Sequence, residues 1–307
     1  MEIIKLNQKL SVSIVIPNYN GELILSKNLP VVIRASKNPK NHIIEIIIVD
    51  DKSTDNSVNF IKSNFPQIKL IKHTANRGFS CAVNTGVRMA KGNLIALLNT
   101  DVTPEENFLE SVFKHFERPE IFAVSFHEQN YSWAKGVFKD GFIGHEPGET
   151  GNKEHISFWV SGGSGIFRRD YWIKLGGMDE KVFSPFYWED IDLCYRAAKR
   201  GLIMLWEPES RVVHQHESTI SKFSKKYVES VRERNHLLFI WKNLLSPNLF
   251  RKHIGGLLTR IIKHPGYLKI VFMALAKLHP TLKARKKEKK EAKISDEAIF
   301  AKFMRQV

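Results

Sequence analysis

The sequence has no long apolar run and almost no cysteine. Its 307 residues include only Cys81 and Cys194, which are far apart and cannot form the disulfide framework of a small secreted protein. In the C-terminal region the longest uninterrupted apolar run, Ile270 to Ala276, is well short of the roughly 18 to 20 residues that cross a bilayer. The first ten residues do not have the pattern of a signal peptide. We therefore expect a reducing, cytoplasmic location.

Two common phosphate-binding motifs are also missing. No Gly-x-Gly-x-x-Gly follows the first apolar run, which disfavours a nicotinamide enzyme, and no Gly-x4-Gly-Lys-Ser/Thr occurs, which disfavours a P-loop phosphotransferase. A nucleotidyltransferase would usually need a glycine-rich loop near the N-terminus, and Pro17-Asn18-Tyr19-Asn20 is a poor substitute for one.

Positive charge is concentrated at the C-terminal end. Residues 1–220 hold 26 basic and 26 acidic side chains, whereas residues 221–307 hold 21 basic and 6 acidic ones, which is the whole net charge of +15. Such a segment predicts an anionic partner, either a membrane surface or a nucleic acid. Because the first 220 residues are neutral, no nucleic acid is expected.

Three β-branched or aliphatic runs each end in polar residues. They cover residues 12–16, 43–49 and 94–98, with helical patterns at 57–64 and 80–89 between them. Continuous apolar runs predict strands buried on both faces, and this order predicts a doubly wound α/β fold with a mostly parallel sheet. Ligands bind beyond the carboxyl ends of such strands. Pro17 to Asn20, Asp50-Asp51 and Asn99-Thr100-Asp101 are therefore expected to meet at one crevice.

The second half is less regular. We predict an α/β domain at residues 1–220 and a basic helical extension at 221–307. Residues 126–156 are predicted to be an irregular insert that helps to shape a substrate pocket. The remaining predicted elements are strands at 158–167, 202–206 and 211–213, helices at 190–200 and 222–245, and a basic amphipathic, membrane-surface helix within 249–278.

The crevice is acidic. Asp50, Asp51 and Asp101 would repel an anionic ligand unless a divalent cation bridged them. Magnesium and manganese bind one or two carboxylates together with diphosphate oxygens. The sequence therefore predicts a nucleoside diphosphate with Mg²⁺ or Mn²⁺.

Two later segments carry further candidates. Glu189, Asp190 and Asp192 begin a predicted helix, where acids can simply cap the helix; alternatively, nearby aromatic side chains such as Trp188 raise a carboxylate pKa as a general base needs. His214 and His216 alternate on a predicted strand and would face one side. Each is either a metal ligand or a structural histidine.

These motifs, taken together and in order, resemble family 2 glycosyltransferases of the GT-A fold, in particular rhamnosyltransferase-like enzymes of cell-surface polysaccharide synthesis. The resemblance covers roughly residues 11 to 217. The segments that carry it are Ser13 to Gly21, Ile47 to Asp55, Asn76 to Ser80 with Asn84 to Gly86, Ala96 to Val102, Gly163 to Arg169 with Gly176 to Glu180, and Glu189 to Arg196.

The resemblance implies a role for each matching residue. Asp190, with Glu189 beside it, would be the general base of a single, inverting displacement. Asp101 would hold the metal, and His214 would complete its shell. Nucleotide-sugar contacts would come from Pro17, Tyr19, Asn20, Asp50, Asp51, Arg77, Asn99 and Asp101, and acceptor-side contacts from Gly163, Trp188 and Asp192.

One position departs from the family pattern. Asn99 stands where the first metal-motif aspartate is expected, which removes one negative charge. Asparagine at this place also occurs in members that resemble rhamnosyl- and galactofuranosyl-type transferases. A catalytically silent, glycan-binding relative is the alternative.

The implied partners follow from the same resemblance. The donor would be a UDP- or dTDP-linked sugar, and the acceptor a hydroxyl of a glycan or of a polyprenyl-linked glycan. A lipid-linked acceptor would place the protein on the inner face of the cell membrane, with the basic C-terminal segment in peripheral contact.

Overall fold

The computed structural model describes residues 10–149, 151–215 and 223–304, and it shows a central sheet with helices on both faces. The first nine residues, His216 and Lys222 lie outside that part of the chain. The strands are β1 (Val12–Asn18), β2 (Ile43–Asp50), β3 (Lys69–Lys72), β4 (Leu94–Leu98), β5 (Val102–Pro104), β6 (Ile121–Glu128), β7 (Ala134–Lys139), β8 (Phe142–Pro147), β9 (His155–Ile156), β10 (Ser164–Arg168) and β11 (Ile203–His214). The helices are α1 (Glu22–Ser36), α2 (Ser57–Asn64), α3 (Phe79–Met89), α4 (Arg169–Leu175), α5 (Glu189–Lys199), α6 (Lys225–Asn243), α7 (Pro247–Lys263), α8 (Leu268–Leu275), α9 (Leu278–Glu291) and α10 (Asp296–Met304).

The three predicted apolar strands are confirmed as neighbours at the centre of the sheet. The strand order is β3-β2-β1-β4-β10-β6-β11-β5, with β9 beside β11. Strands β1 to β4 pair in parallel, whereas β10 runs antiparallel to both β4 and β6. The carboxyl ends of β1, β2 and β4 therefore open at one edge, as expected for a ligand crevice.

Alternate side chains of the central strands enter two separate cores. On β1, Ile14 packs with Leu25 and Leu29 of α1, whereas Val15 belongs to the core that contains Val83 of α3 and Leu238 of α6. This division follows from the two-residue period of a strand. Because helices cover both faces of the sheet, the apolar runs of its central strands do not need to alternate between polar and apolar residues.

The prediction that residues 126–156 form an irregular insert is wrong. Strand β6 continues to Glu128, and β7 and β8 form an antiparallel hairpin. Its turn is Asp140-Gly141, and both residues have positive φ, at 52° and 85°. A two-residue Asp-Gly turn of this kind matches the twist of a β-hairpin. The dipeptide was therefore a sequence signal for the hairpin that the prediction did not use.

Helices α6, α7 and α10 contact this hairpin, and α8 and α9 pack on α6. The carbonyl oxygens of Gly141 and Ile143 accept hydrogen bonds from His253 of α7 and His236 of α6, at 2.8 and 2.6 Å. Leu238, Leu257, Ala274 and Phe300 are all buried in the core that contains Val15 of β1. The basic C-terminal region is thus part of the folded body.

Several element boundaries differ from the prediction. The two strands predicted at 202–206 and 211–213 form one strand, β11, and the strand predicted at 158–167 is shortened to β10. Strand β3 and helix α4 were missed, since neither has a long apolar run. The single amphipathic helix expected within 249–278 is divided at His264-Pro265 into α7 and α8, because proline cannot continue a helix interior. Within the described ranges, no helix is long and apolar enough to cross a membrane.

A buried network of charged side chains joins α5 to α6. The carboxylate of Asp192, fully buried on α5, accepts hydrogen bonds from Arg196 at 2.7 Å, Lys242 at 2.9 Å and Asn243 at 2.8 Å. Lys242 also binds Asp179 at 2.8 Å. Although burial opposes it, the Lys242 ammonium lowers the pKa of Asp179 to about 2.

Removing the ammonium group should destabilise the whole fold. In Lys242→Met the Asp192 and Asp179 carboxylates lose a buried partner, and we expect a loss of about 3–5 kcal/mol in the free energy of unfolding. Urea denaturation measures it. Lys286→Met, at an exposed position on α9, is the matched control and should change stability by less than about 0.5 kcal/mol. Equal stability of the two variants would contradict this account of the network.

Candidate active site

A cleft of about 310 Å³ opens at the carboxyl ends of β1, β2 and β4. It lies where the three polar strand ends were predicted to converge. Asn76, Gly78, Phe79, Ala82 and Thr100 contribute to its walls, together with Ser161 and Phe223. Of the predicted site residues, the cleft is lined by Pro17, Tyr19, Asp51, Asn99, Asp101, Gly163, Glu189 and Asp190.

Asp51 holds the loop before α3. Its buried carboxylate accepts hydrogen bonds from the backbone N–H groups of Arg77 and Gly78, at 2.9 and 2.7 Å, and it contacts His73 Nδ1 at 2.7 Å. Fixing this loop places Gly78 in the wall of the cleft.

Asp50 and Asn20 lie beside the cleft. Asp50 accepts from Asn18 Nδ2 at 2.9 Å and from the Ser53 N–H at 3.1 Å. The Asn20 side chain accepts from the Thr54 N–H at 2.7 Å. Both residues therefore join the end of β1 to the loop after β2.

Arg77 points towards Glu180. Its guanidinium lies 3.4 Å from the Glu180 carboxylate and is exposed, outside the cleft lining. Its backbone N–H, by contrast, is bound to Asp51. In this structure the residue contributes to the cleft through its backbone.

Asn99 and Gly163 fit closely together. The Asn99 N–H donates to the Gly163 carbonyl at 2.8 Å. A Cβ atom added at Gly163 would lie only 2.2 Å from Asn99 Nδ2, so no larger residue fits there without displacing the amide. The asparagine that replaces the expected aspartate is thus packed into the floor of the cleft.

Asp101 and His214 form a candidate metal site. His214, at the end of β11, lies with Nε2 3.2 Å from Asp101 Oδ1 and with Nδ1 3.1 Å from Glu128. The second carboxylate oxygen of Asp101, Oδ2, is buried and has no hydrogen-bond partner among the residues that the structure describes. A buried, unsatisfied carboxylate oxygen next to an imidazole fits the donor set of a divalent cation.

Glu128 was not predicted from the sequence. It ends β6 and accepts a short hydrogen bond from Ser164. Although burial opposes it, hydrogen bonds to Asp101 and Glu128 raise the pKa of His214 to about 9. A metal would therefore replace a proton on this imidazole. Glu128 could have been found as an acidic residue at the end of a strand. It was not considered because the segment was interpreted as an irregular insert.

Glu189 and Asp190 stand at the first turn of α5 and line the same cleft. Asp190 is partly buried and its carboxylate accepts from the N–H groups of Gly162 at 3.2 Å and Ile191 at 2.8 Å. Burial raises the pKa of Asp190, and these N–H groups oppose the rise. Burial and the neighbouring charge of Asp190 raise the pKa of Glu189 well above its usual range, so Glu189 holds its proton more strongly.

The aromatic segment that the sequence placed next to Glu189 and Asp190 forms a wall of the cleft, which Phe223 joins without having been predicted. Pro185, Phe186 and Tyr187 come from the loop before α5, and Phe223 packs on Phe186 with ring centroids 5.8 Å apart. Asn235 of α6 donates hydrogen bonds to the carbonyl oxygens of Phe183, Phe186 and Tyr187. Only tertiary contacts bring these segments together.

Two predicted acceptor-side residues lie outside the cleft lining. Trp188 stacks on His236 with ring centroids 4.2 Å apart and a 6° angle between the planes. Asp192 is in the buried network that joins α5 to α6. Both hold the start of α5 in place.

A second group of possible metal ligands lies elsewhere. His115, Glu154 and Glu207 converge, but His115 Nε2 is already 2.6 Å from Glu207, and the Lys114 ammonium is 3.2 Å from the same carboxylate. We therefore interpret His115, Glu154 and Glu207 as part of an ion-pair cluster and not as a metal site.

Comparison with known proteins supports a family assignment. Residues 13–176 match the model of the family "Glycosyl transferase family 2". The pre-mycofactocin glycosyltransferase of Mycobacterium tuberculosis is 28% identical over 185 residues, 58% of this chain and 38% of that protein. The poly(ribitol-phosphate) beta-glucosyltransferase of Bacillus spizizenii is 34% identical over 96 residues, 30% of this chain and 15% of that protein. The chain spans less than half the length of these relatives.

Solved structures share the fold at low sequence identity. GalNAc-T7 with UDP, GalNAc and Mn²⁺ superposes with a TM-score of 0.64 at 16% identity, over 85% of this chain and 57% of that chain. The mannosyltransferase PcManGT of Pyrobaculum calidifontis, in complex with GDP-Man and Mn²⁺, superposes with a TM-score of 0.55 at 17% identity, over 98% and 87%. With its motifs, its sheet and its cleft all in agreement, the chain belongs to glycosyl transferase family 2 and has the GT-A fold.

Proposed function

We propose that this protein is an inverting, metal-dependent enzyme that transfers a sugar from a UDP- or dTDP-linked donor to a hydroxyl of a glycan or lipid-linked glycan in cell-surface polysaccharide synthesis. The observation that carries the proposal is the pairing, in one cleft, of a buried Asp101 oxygen without a partner and an Asp190 carboxylate of raised pKa. The first suits a cation on a diphosphate, and the second suits a general base.

Asp190 is the base in this proposal. Its carboxylate takes the proton from the acceptor hydroxyl while that oxygen attacks the anomeric carbon, and the bond from this carbon to the diphosphate oxygen breaks. Two backbone N–H groups keep the carboxylate oriented. Burial raises the pKa of Glu189 further than that of Asp190, so Asp190 is the member of the pair that gives up its proton more readily. A single displacement inverts the anomeric configuration.

Asp101 and His214 would hold the Mg²⁺ or Mn²⁺ ion. A bound ion would supply Lewis-acid stabilisation of the negative charge on the departing diphosphate. Asn99 leaves the floor of the cleft less negative than two aspartates would, which lowers repulsion of the diphosphate but also reduces metal affinity. Tyr19 and Pro17 at the end of β1 are proposed to contact the nucleoside.

The acceptor is proposed to enter on the aromatic side. Phe186, Tyr187 and Phe223 offer ring faces and apolar edges against which a sugar ring packs. A polyprenyl-linked acceptor would require the enzyme to work in the cytoplasm at the inner face of the cell membrane. The basic C-terminal helices suit that peripheral location.

The first prediction concerns metal-dependent donor binding. UDP or dTDP with Mn²⁺ should raise the melting temperature, by an amount equivalent to about 2.7 kcal/mol when the ligand is at a hundred times its Kd. GDP belongs in the same panel. Asp101→Ala should abolish the metal-dependent part of the shift, whereas Asp170→Ala, at a half-exposed position on α4, should keep it. No shift with any nucleotide would favour the catalytically silent relative.

The second prediction separates chemistry from binding. Asp190→Asn should lower kcat by at least about 100-fold because a carboxamide cannot accept the proton, while the donor Kd stays unchanged. Donor turnover and nucleotide titration measure the two effects, with Asp170→Asn as control. In the wild-type enzyme kcat should fall as pH falls through the pKa of Asp190, which is raised above the ordinary aspartate range. Near-normal turnover of Asp190→Asn would exclude this residue as the base.

The third prediction concerns stereochemistry. The anomeric configuration of the product should be opposite to that of the donor sugar, because one displacement occurs without a covalent intermediate. Proton NMR of the product's anomeric signal, recorded early in the reaction, measures this. Retention of configuration would rule out the single-displacement mechanism while leaving nucleotide-sugar transfer intact.

A further inference from the structure

An apolar stripe runs along the outer face of α7. Ile254, Leu258 and Ile262 are spaced four residues apart and lie on one side of the helix, and all three are exposed, Ile262 by 79%. The inner face of the same helix buries Leu257 and His253 in the core. Exposed aliphatic side chains at helical spacing therefore form a continuous surface that packing within the chain does not explain.

Helix α8 carries a second stripe of the same kind. Leu268, Phe272 and Leu275 are exposed, Phe272 by 67%, whereas Ile270 and Ala274 are buried in the core that also contains Leu257. Only a three-residue turn and one further residue separate α7 from α8. Since both inner faces enter one core, both stripes lie on the outside of the same helical layer. We call these six exposed residues of α7 and α8 the apolar face.

The surroundings of the apolar face are basic. No acidic residue occurs between Glu233 and Glu288. Arg251, Lys252, Lys263 and Lys269 are exposed on the same two helices. An apolar stripe bordered by lysine and arginine is typical of helices that lie in the interface of an anionic bilayer.

This charge pattern also favours a lipid surface over a second copy of the chain. A two-fold dimer would place the face against itself and bring together the basic side chains of α7 and α8, two helices that have no acidic residue of their own. A nucleic acid would account for the basic residues but not for six exposed apolar side chains. An anionic lipid surface accounts for both.

We propose that the apolar face of α7 and α8 docks the protein on an anionic membrane, with the apolar side chains among the acyl chains and the basic ones at the lipid phosphates. The segment after α8 extends to the cleft: the Lys277 ammonium donates to the carbonyl oxygens of Val182 and Ser184, just before the aromatic wall. Docking thus holds the acceptor side of the cleft in a fixed relation to the membrane.

Vesicle flotation tests the proposal on the full chain. The wild-type protein should float with phosphatidylcholine vesicles that contain phosphatidylglycerol, bind vesicles of phosphatidylcholine alone more weakly, and lose affinity as salt is raised. The variant Leu258→Ser/Ile262→Ser/Phe272→Ser should bind the anionic vesicles at least about tenfold more weakly. Its serine side chains lack the apolar surface whose removal from water contributes free energy to binding. Lys252→Glu/Lys263→Glu/Lys269→Glu should lose the dependence on phosphatidylglycerol.

Leu23→Ser/Ile44→Ser/Ile173→Ser is the matched control, since these apolar residues are equally exposed but lie elsewhere. It should bind like the wild type. Nucleotide-dependent melting shifts report separately on the cleft and should be the same in all variants, so failure of membrane docking is distinct from failure of the proposed activity. Wild-type affinity of the serine variant, or no binding by the wild type, overturns the proposal. So does light scattering that shows a wild-type dimer and a monomeric serine variant.

Discussion

The buried carboxylate of Asp192 is the contact on which the geometry of the site depends. Asp192 lies near the start of α5, and its hydrogen-bond partners come from α5 and from α6. A carboxylate without access to water therefore joins these two helices. Because breaking a buried charge pair is costly, α5 cannot shift without disrupting the core. Glu189 and Asp190, at the first turn of α5, are held in the cleft by this constraint.

The acidic residues around the cleft divide into two groups. The carboxylate oxygens of Asp50 and Asp51 accept hydrogen bonds from neighbouring segments, and these bonds hold the wall of the cleft on the side of β1 and β2. Asp101 Oδ2, by contrast, is buried without a hydrogen-bond partner among the described residues, and Asp190 lines the cleft with its oxygens bound to the N–H groups of Gly162 and Ile191. Carboxylates that build the wall and carboxylates that are proposed to carry chemistry are thus alike in sequence and differ in their hydrogen-bond partners.

The C-terminal helices contribute to the cleft although they follow the family 2 segment in the chain. Asn235 of α6 binds the loop that presents Phe186 and Tyr187, and Lys277, after α8, binds the start of the same loop. The helices between these two residues carry the basic and apolar surface assigned to the membrane. One layer of helices therefore holds the aromatic wall on its inner side and the proposed docking surface on its outer side.

The sequence by itself determined the core of the fold and the location of the cleft. Apolar runs at β1, β2 and β4 predicted a parallel sheet, because strands buried on both faces leave a continuous apolar pattern. Their polar ends predicted the convergence of Pro17, Asp51 and Asp101, since parallel strands share one carboxyl edge. These inferences depend on local pattern and on a general rule of topology.

Other features were decided only by the tertiary structure. The partnership of Glu128 with His214 and the burial of Asp192 against Lys242 each join residues that lie tens of positions apart. No local pattern distinguishes Asp192 from Asp190, two residues away on the same helix. One side chain faces α6 and the other faces the cleft, because a helix turns about 100° per residue and the packing of α6 selects which face is buried.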